Sequence, residues 1–171
     1  YGCHVFLPRM KAQSGGHIVN TASGAGLMSI KDFGPYCMTK AAVVSLSQCL
    51  KIELAPFNIG VTVLCPSCVN TNVIKYVKEN TGMMEYTDGS TIELLQAGFN
   101  ASKITPEHEA ARVLKAVEKN KLYIRPAAPG FAISALNARV MPESYYRMLS
   151  FMNKKGLDDP VFMKMAQRGW M

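Results

Sequence analysis

Apolar residues follow the period of a helix in some segments of this chain and the pattern of a buried strand in others. The alternation of these two kinds of segment predicts an α/β fold. Two short runs predict buried strands: His17–Ala22, which ends in small polar groups, and the mostly apolar Val61–Cys65. Leu122–Arg125 predicts a short third strand. Between the first two runs, residues of helical periodicity begin near Pro35 and end near Pro56. Strands that alternate with helices form a parallel sheet with helices on its faces.

The flanking segments carry weaker patterns. Residues 1–13 have helix-like apolar spacing despite Pro8, and Thr105 followed by Pro106 predicts a capped helix start. Beyond Pro126 the apolar spacing predicts one or two amphipathic helices with a break at Pro142. We therefore expect a strand-and-helix unit over residues 1–125 and a C-terminal helical extension over residues 126–171.

Composition and charge exclude several classes of protein. The chain has 171 residues, 49% of them hydrophobic, and a net charge of +7 whose basic residues cluster only near the end. No groove-reading motif accompanies that charge, and no run of 18 apolar residues is present, so we predict neither a nucleic-acid nor a membrane partner. Five cysteines in apolar segments fit the reduced thiols of a cytoplasmic protein. The three histidines lack the spacing of metal ligands, so no metal site is predicted.

A tyrosine and a lysine lie four residues apart at the head of the long helical segment, as Tyr36 and Lys40. Side chains at this spacing share one face of a helix, so a phenol and an ammonium occupy one small volume. Free tyrosine has a pKa of about 10, and acid/base work near neutrality requires a fall to about 7. A positive charge about 4 Å away supplies about 4 kcal/mol at an effective dielectric of about 20, which is enough. Tyr36 is therefore a candidate proton donor and acceptor.

A hydroxyl group stands thirteen residues before that tyrosine, because Ser23 follows the first predicted strand. A serine there can hold a carbonyl oxygen within reach of the Tyr36 phenol. Ser23, Tyr36 and Lys40 together predict a site that moves a proton on and off an alcohol or ketone oxygen.

Three runs carry a specific resemblance to a known family. Gly16–Gly26, Tyr36–Lys40 and Val61–Thr71 resemble, in order and spacing, the second half of the short-chain dehydrogenase/reductase superfamily. The resemblance extends from about Tyr1 to Arg125. It implies the C-terminal portion of a Rossmann-like, doubly wound parallel sheet, of which this chain holds about three strands with flanking helices.

The resemblance also implies roles for individual residues. Tyr36 would exchange a proton with the substrate oxygen, Ser23 would position that oxygen, and Lys40 would bond the nicotinamide ribose. NAD or NADP would carry the hydride. The family's Pro-Gly-x-Val-x-Thr segment, which holds the nicotinamide carboxamide, is matched at Pro66, Ser67, Val69 and Thr71, with serine where glycine is usual. The helix that follows Tyr36 often forms a dimer seam in that family, so a homo-oligomer is expected.

The start of the chain limits what the sequence predicts. Tyr1 opens directly into an apolar-periodic segment, and the search for a glycine-rich phosphate loop finds only Gly24-Ala25-Gly26, which lacks a third glycine. We therefore expect a piece of a longer chain, whose first strand is an unpaired edge. The choice between NAD and NADP stays open.

The segment from Ile74 to Lys103 has poor periodicity and predicts a lid over the reaction centre. Thr81-Gly82 and Asp88-Gly89 predict turns within it. Its apolar residues predict a hydrophobic alcohol or ketone substrate; they are Ile74, Tyr76, Val77, Met83, Met84, Tyr86, Leu94, Leu95 and Phe99.

Two alternative interpretations belong to other functional classes. The chain could be a catalytically silent packing or oligomerisation module. Alternatively, Cys65-Pro66-Ser67-Cys68 could be a thiol redox pair, which would require a lowered thiol pKa. Two small buried cysteines at a strand end are the more common reason for such a pattern.

Overall fold

The computed structural model describes residues 1–80 and 89–170. Within these residues, three strands form one parallel sheet in the order β1-β2-β3. The strands are β1 (Gly16–Thr21), β2 (Ile59–Leu64) and β3 (Tyr123–Ile124). The predicted α/β class with three parallel strands and flanking helices is confirmed, and each predicted strand is found within two residues of its bounds.

The register of the sheet brings the ends of β1 and β2 level. Gly16 pairs with Ile59 and Thr21 pairs with Leu64 across the full length of the two strands. The residues that follow them therefore emerge side by side at the carboxyl edge. The strand order leaves β1 on the edge of the sheet, as expected, with its Val19 38% exposed.

The first two helices cover β1 and β2. Helix α1 (Gly2–Ala12) runs past Pro8, and helix α2 (Gly34–Glu53) has Pro35 in its first turn. Ile18 and Val61 of the sheet pack against Leu50 and Leu54, and Cys3, Leu7 and Met10 of α1 pack around the same cluster. Five of the six residues of β2 are buried, so the apolar run seen in its sequence reflects burial on both faces.

The segment predicted as a lid contains two helices that its poor periodicity did not indicate, and its role as a lid stays a prediction. They are α3 (Val73–Asn80) and α4 (Gly89–Ala101). Helix α4 has a weak amphipathic pattern, and its packing against the last helix of the chain stabilises it. The predicted turns at Thr81-Gly82 and Asp88, with Met83, Met84 and Tyr86, lie outside the described residues.

Helix α5 (Pro106–Glu118) begins as predicted, because the Thr105 hydroxyl accepts a hydrogen bond from the His108 amide at 3.2 Å. After β3 come three helices, one more than the sequence pattern indicated: α6 (Pro129–Val140), α7 (Pro142–Lys154) and α8 (Asp158–Gln167). Pro142 does separate two helices. The additional break falls at Gly156, whose φ of 64° is left-handed and ends α7.

Candidate active site

Tyr36 and Lys40 lie one turn apart near the start of α2, and the structure brings them together. The Lys40 Nζ atom lies 5.7 Å from the centroid of the Tyr36 ring. The same atom lies 3.5 Å from the carbonyl oxygen of Thr21, the last residue of β1. Lys40 is half-buried, whereas Tyr36 is 37% exposed. The ammonium thus joins the phenol to the carboxyl edge of the sheet.

Ser23 lies two residues beyond β1 and caps a single 3-10 turn at Gly24–Gly26. Its Oγ atom accepts a hydrogen bond from the Ala25 amide at 3.2 Å. The turn presses on α2, because a Cβ atom at Gly26 would lie 2.7 Å from the Lys40 carbonyl oxygen. A residue larger than glycine would therefore push Ser23 and Lys40 apart.

The predicted three-residue site is only partly assembled. The contacts among the described side chains join Lys40 to Tyr36 and to the end of β1, but none joins the Ser23 hydroxyl to the phenol. Ser23 and Tyr36 are instead held at the same edge through the turn that connects their elements. A small ligand oxygen has to bridge the two hydroxyls for all three groups to act together.

The segment after β2 lies beside that turn. The Gly24 amide donates to the Pro66 carbonyl at 2.8 Å, which ties the ends of β1 and β2 to each other. On the far side, the Asn70 amide donates to the Ile104 carbonyl at 2.8 Å. Pro66, Ser67 and Val69 are half-buried along this segment, and Thr71 is exposed at its end.

Ser67 has an unpaired hydroxyl in this segment. Its Oγ atom is shielded from solvent and has no hydrogen-bond partner among the described residues. A buried hydroxyl without a partner costs about 1–3 kcal/mol. Nearby, the Thr71 Oγ1 atom accepts one hydrogen bond from the Val73 amide at 3.4 Å and keeps its own proton to donate. The segment therefore has unused polar groups that fit a polar ligand.

Cys65 and Cys68 do not have the properties of a redox pair. All five cysteines are unpaired. Burial raises the pKa of Cys65 to about 11, against a smaller opposing effect of a hydrogen bond from the Ser23 backbone, and burial raises the pKa of Cys68 to about 12. A redox thiol needs a lowered pKa, so the thiol interpretation is not supported.

An apolar cavity of about 330 Å³ lies beside the segment that connects Ser23 to Tyr36. Of the described residues from which a substrate pocket was predicted, Leu94 and Leu95 line it. Most of its wall comes from the C-terminal helices, which the sequence interpretation left out. The sequence feature that could have identified these helices as part of the wall is the spacing of their large apolar residues, among them Phe131, Leu149 and Phe162.

Two further classes of site are not found. Among the described residues, no cluster of three histidine, cysteine or acidic side chains is arranged to hold a metal ion. None of the helices that the structure describes combines the length and the apolar character needed to span a bilayer.

Comparison with known proteins connects this geometry to one family. Residues 1–82 match the family model described as short chain dehydrogenase. The probable oxidoreductase EphD of Mycobacterium tuberculosis is 33% identical over 150 residues, which are 84% of this chain and 24% of that protein. Human estradiol 17-beta-dehydrogenase 11 is 32% identical over 148 residues, 84% of this chain and 42% of that protein.

A solved structure shows the same fold. The short chain dehydrogenase/reductase from Burkholderia phymatum, crystallised in complex with NAD, has a TM-score of 0.70 and 27% sequence identity. The match covers 83% of this chain and 53% of that one. The chain thus spans less than half the length of the two relatives above and about half the length of this structural neighbour.

Proposed function

We propose that the intact protein is an NAD(P)-dependent oxidoreductase of alcohols and ketones, a proposal supported by the match of residues 1–82 to the short chain dehydrogenase family model. The observation that carries the proposal is the placement of the Lys40 ammonium, 5.7 Å from the Tyr36 ring and 3.5 Å from the end of β1. A positive charge there stabilises the phenolate that Tyr36 becomes when it gives its proton to a substrate oxygen.

Each of the three polar residues has a separate task in this proposal. Tyr36 donates its proton to the ketone oxygen in reduction and accepts it back in oxidation. Ser23 holds that oxygen by donating a hydrogen bond. Lys40 stabilises the charged form of Tyr36 and donates a hydrogen bond to the nicotinamide ribose.

The segment after β2 fits a bound dinucleotide. When bound, NAD or NADP supplies the hydride. Pro66, Ser67, Val69 and Thr71 would hold its carboxamide, and the unpaired Ser67 hydroxyl and the proton of the Thr71 hydroxyl supply hydrogen bonds that the described residues do not use. The choice between the two nucleotides depends on a ribose contact that these residues do not make.

A hydrophobic substrate is supported by the apolar cavity beside the Ser23–Tyr36 connection.

We further propose that the protein is cytoplasmic and forms a homo-oligomer. The exposed apolar residues of α2 support the oligomer. Among them, Met38 is 68% exposed, Leu46 48% and Ile52 77%. Sizing the full-length protein in solution tests the oligomer, and a strictly monomeric result would remove it.

The test of the chemistry is Tyr36→Phe in the full-length protein. General acid/base catalysis contributes roughly 10²–10⁴-fold to a rate, so we expect a loss of that order in turnover of a ketone panel. NADH and NADPH binding, followed by nicotinamide fluorescence, should stay within a few-fold of wild type because the ring and Lys40 remain. Turnover by Tyr36→Phe at the wild-type rate would remove the proposed role.

The rival interpretation makes a different prediction for the same titration. A silent packing module binds neither nucleotide, so an absence of fluorescence response in the wild-type protein would favour it. The matched control for Tyr36→Phe is Ser45→Ala, which alters an exposed side chain of the same helix and should change neither rate nor nucleotide affinity.

A further inference from the structure

A second cavity lies between α2 and α6, on the facing sides of the two helices. Residues at helical spacing line it: Ala41, Val44 and Gln48 on α2, and Ala132, Ala135 and Arg139 on α6. Its volume of about 340 Å³ lies near the lower end of the roughly 300–1,000 Å³ that small-molecule sites occupy. The space between the two helices is therefore large enough for a small organic ligand.

The second cavity is separate from the candidate active site. Ser23, Tyr36 and Lys40 do not line it, and neither does the segment after β2. It also shares no lining residue with the apolar cavity beside the Ser23–Tyr36 connection. One end is formed instead by the residues around the end of β3, among them Tyr123. A ligand bound here would thus be neither the proposed substrate nor the dinucleotide.

The interior of the second cavity is apolar. Val44, Pro126 and Ala135 line it and are buried, and Leu27 lines it and is half-buried. These side chains come from α2, α6 and the two segments that follow β1 and β3. An apolar part of a ligand would be removed from water against them, which favours binding.

The opening of the second cavity is basic. Arg125, which follows β3, and Arg139, in the last turn of α6, both line the cavity and are exposed. Among the residues that the structure describes, neither guanidinium has a hydrogen bond or an ion pair. No aspartate or glutamate is found in the described lining. Two arginines at one opening, without a carboxylate, favour an anionic group, which their planar forks can bind.

A third donor also lines the second cavity. The Gln48 side-chain amide donates a hydrogen bond to the Tyr123 hydroxyl, which joins α2 to β3. The Tyr123 hydroxyl therefore keeps its own proton to donate. Because the phenol is already held by Gln48, this donor is in place before any ligand binds.

We propose that the second cavity binds a carboxylate with an unbranched apolar chain, such as the anion of a medium-length fatty acid. The carboxylate pairs with Arg125 and Arg139 at the opening and accepts a hydrogen bond from Tyr123. The chain lies inside against Val44 and Ala135. An uncharged molecule would leave the arginines unused, and an inorganic anion would leave the apolar interior in water.

Calorimetric titration of the full-length protein tests this proposal. The probes are octanoate, uncharged octanol and inorganic phosphate. Octanoate should bind roughly tenfold or more tightly than the other two, because it alone has both the charge and the chain. The double variant Arg125→Gln/Arg139→Gln should weaken octanoate binding roughly tenfold. The matched control is Arg147→Gln, which alters an exposed arginine of α7 that does not line the cavity and should bind like wild type.

A second variant tests the apolar interior with both arginines present. Ala132→Leu adds bulk from a half-buried position of α6 and should weaken octanoate binding while melting like wild type. Octanoate affinity unchanged in the double arginine variant would overturn the inference, because the probe would then bind elsewhere in the protein. Octanol or phosphate binding as tightly as octanoate would overturn it too. Tyr36 and the nucleotide take no part in these titrations, so the proposed chemistry is tested separately.

Discussion

Two regions surround the proposed substrate position, and they differ in how they are built. The polar edge of Ser23, Tyr36 and Lys40 comes from β1, α2 and the connection between them, within 18 positions of sequence. The apolar wall draws on α4, α6, α7 and α8, and one of its contacts joins residues 117 positions apart. In the proposed function the edge moves a proton, whereas the wall admits a substituent of the substrate. We therefore expect that chemistry and selectivity can change independently.

The largest effect is expected for Lys40→Met, which changes the polar edge and leaves the apolar wall unchanged. In the proposed function Lys40 stabilises the phenolate and holds the nicotinamide ribose, so its loss should lower kcat/KM roughly 100-fold, the lower end of a general acid/base contribution. The ratio of rates for bulky and small ketones should stay constant, because the wall is untouched. Lys40→Arg, which keeps the charge, serves as the control. A Lys40→Met enzyme within a few-fold of wild type would contradict the role of the ammonium.

A smaller effect is expected for Thr91→Val, which removes a hydrogen bond of α4, one of the helices that form the apolar wall. The Thr91 Oγ1 atom donates to the Asp32 carboxylate at 2.8 Å, and Asp32 has a strained φ of 63°. Thr91 is buried, so Thr91→Val should lower the free energy of unfolding by about 1–3 kcal/mol. Chemical denaturation measures this, and KM for bulky ketones should rise more than kcat falls.

The control for Thr91 is Thr39→Val. Thr39 is exposed on α2, where its hydroxyl donates to the Tyr36 carbonyl at 2.8 Å, and its replacement should change stability by no more than about 0.5 kcal/mol. Equal losses in the two variants would show that the Asp32 contact does not hold the wall.

The smallest effect concerns the amino end of the sheet, away from both regions. Burial, and to a lesser degree the nearby Lys51, lowers the pKa of His17 below its ordinary value of 6.5. Below about pH 6.5 the unfolded chain therefore binds more protons at this position than the folded chain does. The free energy of unfolding falls as the pH drops, until the pH passes the pKa of His17 in the folded protein. His17→Gln should show a slightly smaller decrease in melting temperature between pH 7.5 and pH 5. Identical decreases would remove His17 as a cause.

The sequence predicted those features that depend on neighbouring residues. The apolar runs of β1 and β2, the Thr105 cap of α5 and the pairing of Tyr36 with Lys40 each depend on spacings of a few residues. These expectations hold because local periodicity and strand direction determine them.

The features that the sequence did not predict, among them helix α4 and the apolar cavity, depend on tertiary contacts that no local pattern contains. Helix α4 has a weak pattern and packs against α8. The cavity exists because Tyr146 and Asp158 reach back to Ser29 and Lys31, residues that belong to the connection after β1. Such pairings depend on how three short helices fold back over the body of the protein, and propensity does not specify that.

The central claim is that Ser23 and Tyr36 act on one substrate oxygen, and a double-mutant cycle tests it most directly. Turnover of a small ketone is measured for Ser23→Ala, Tyr36→Phe and the double variant of the full-length protein, with nicotinamide fluorescence confirming that each binds its cofactor. Groups that act as a unit are not additive, so the double variant should be no more than a few-fold slower than Tyr36→Phe alone. Two losses that multiply in full would mean that the hydroxyls work at separate places, and would contradict the account.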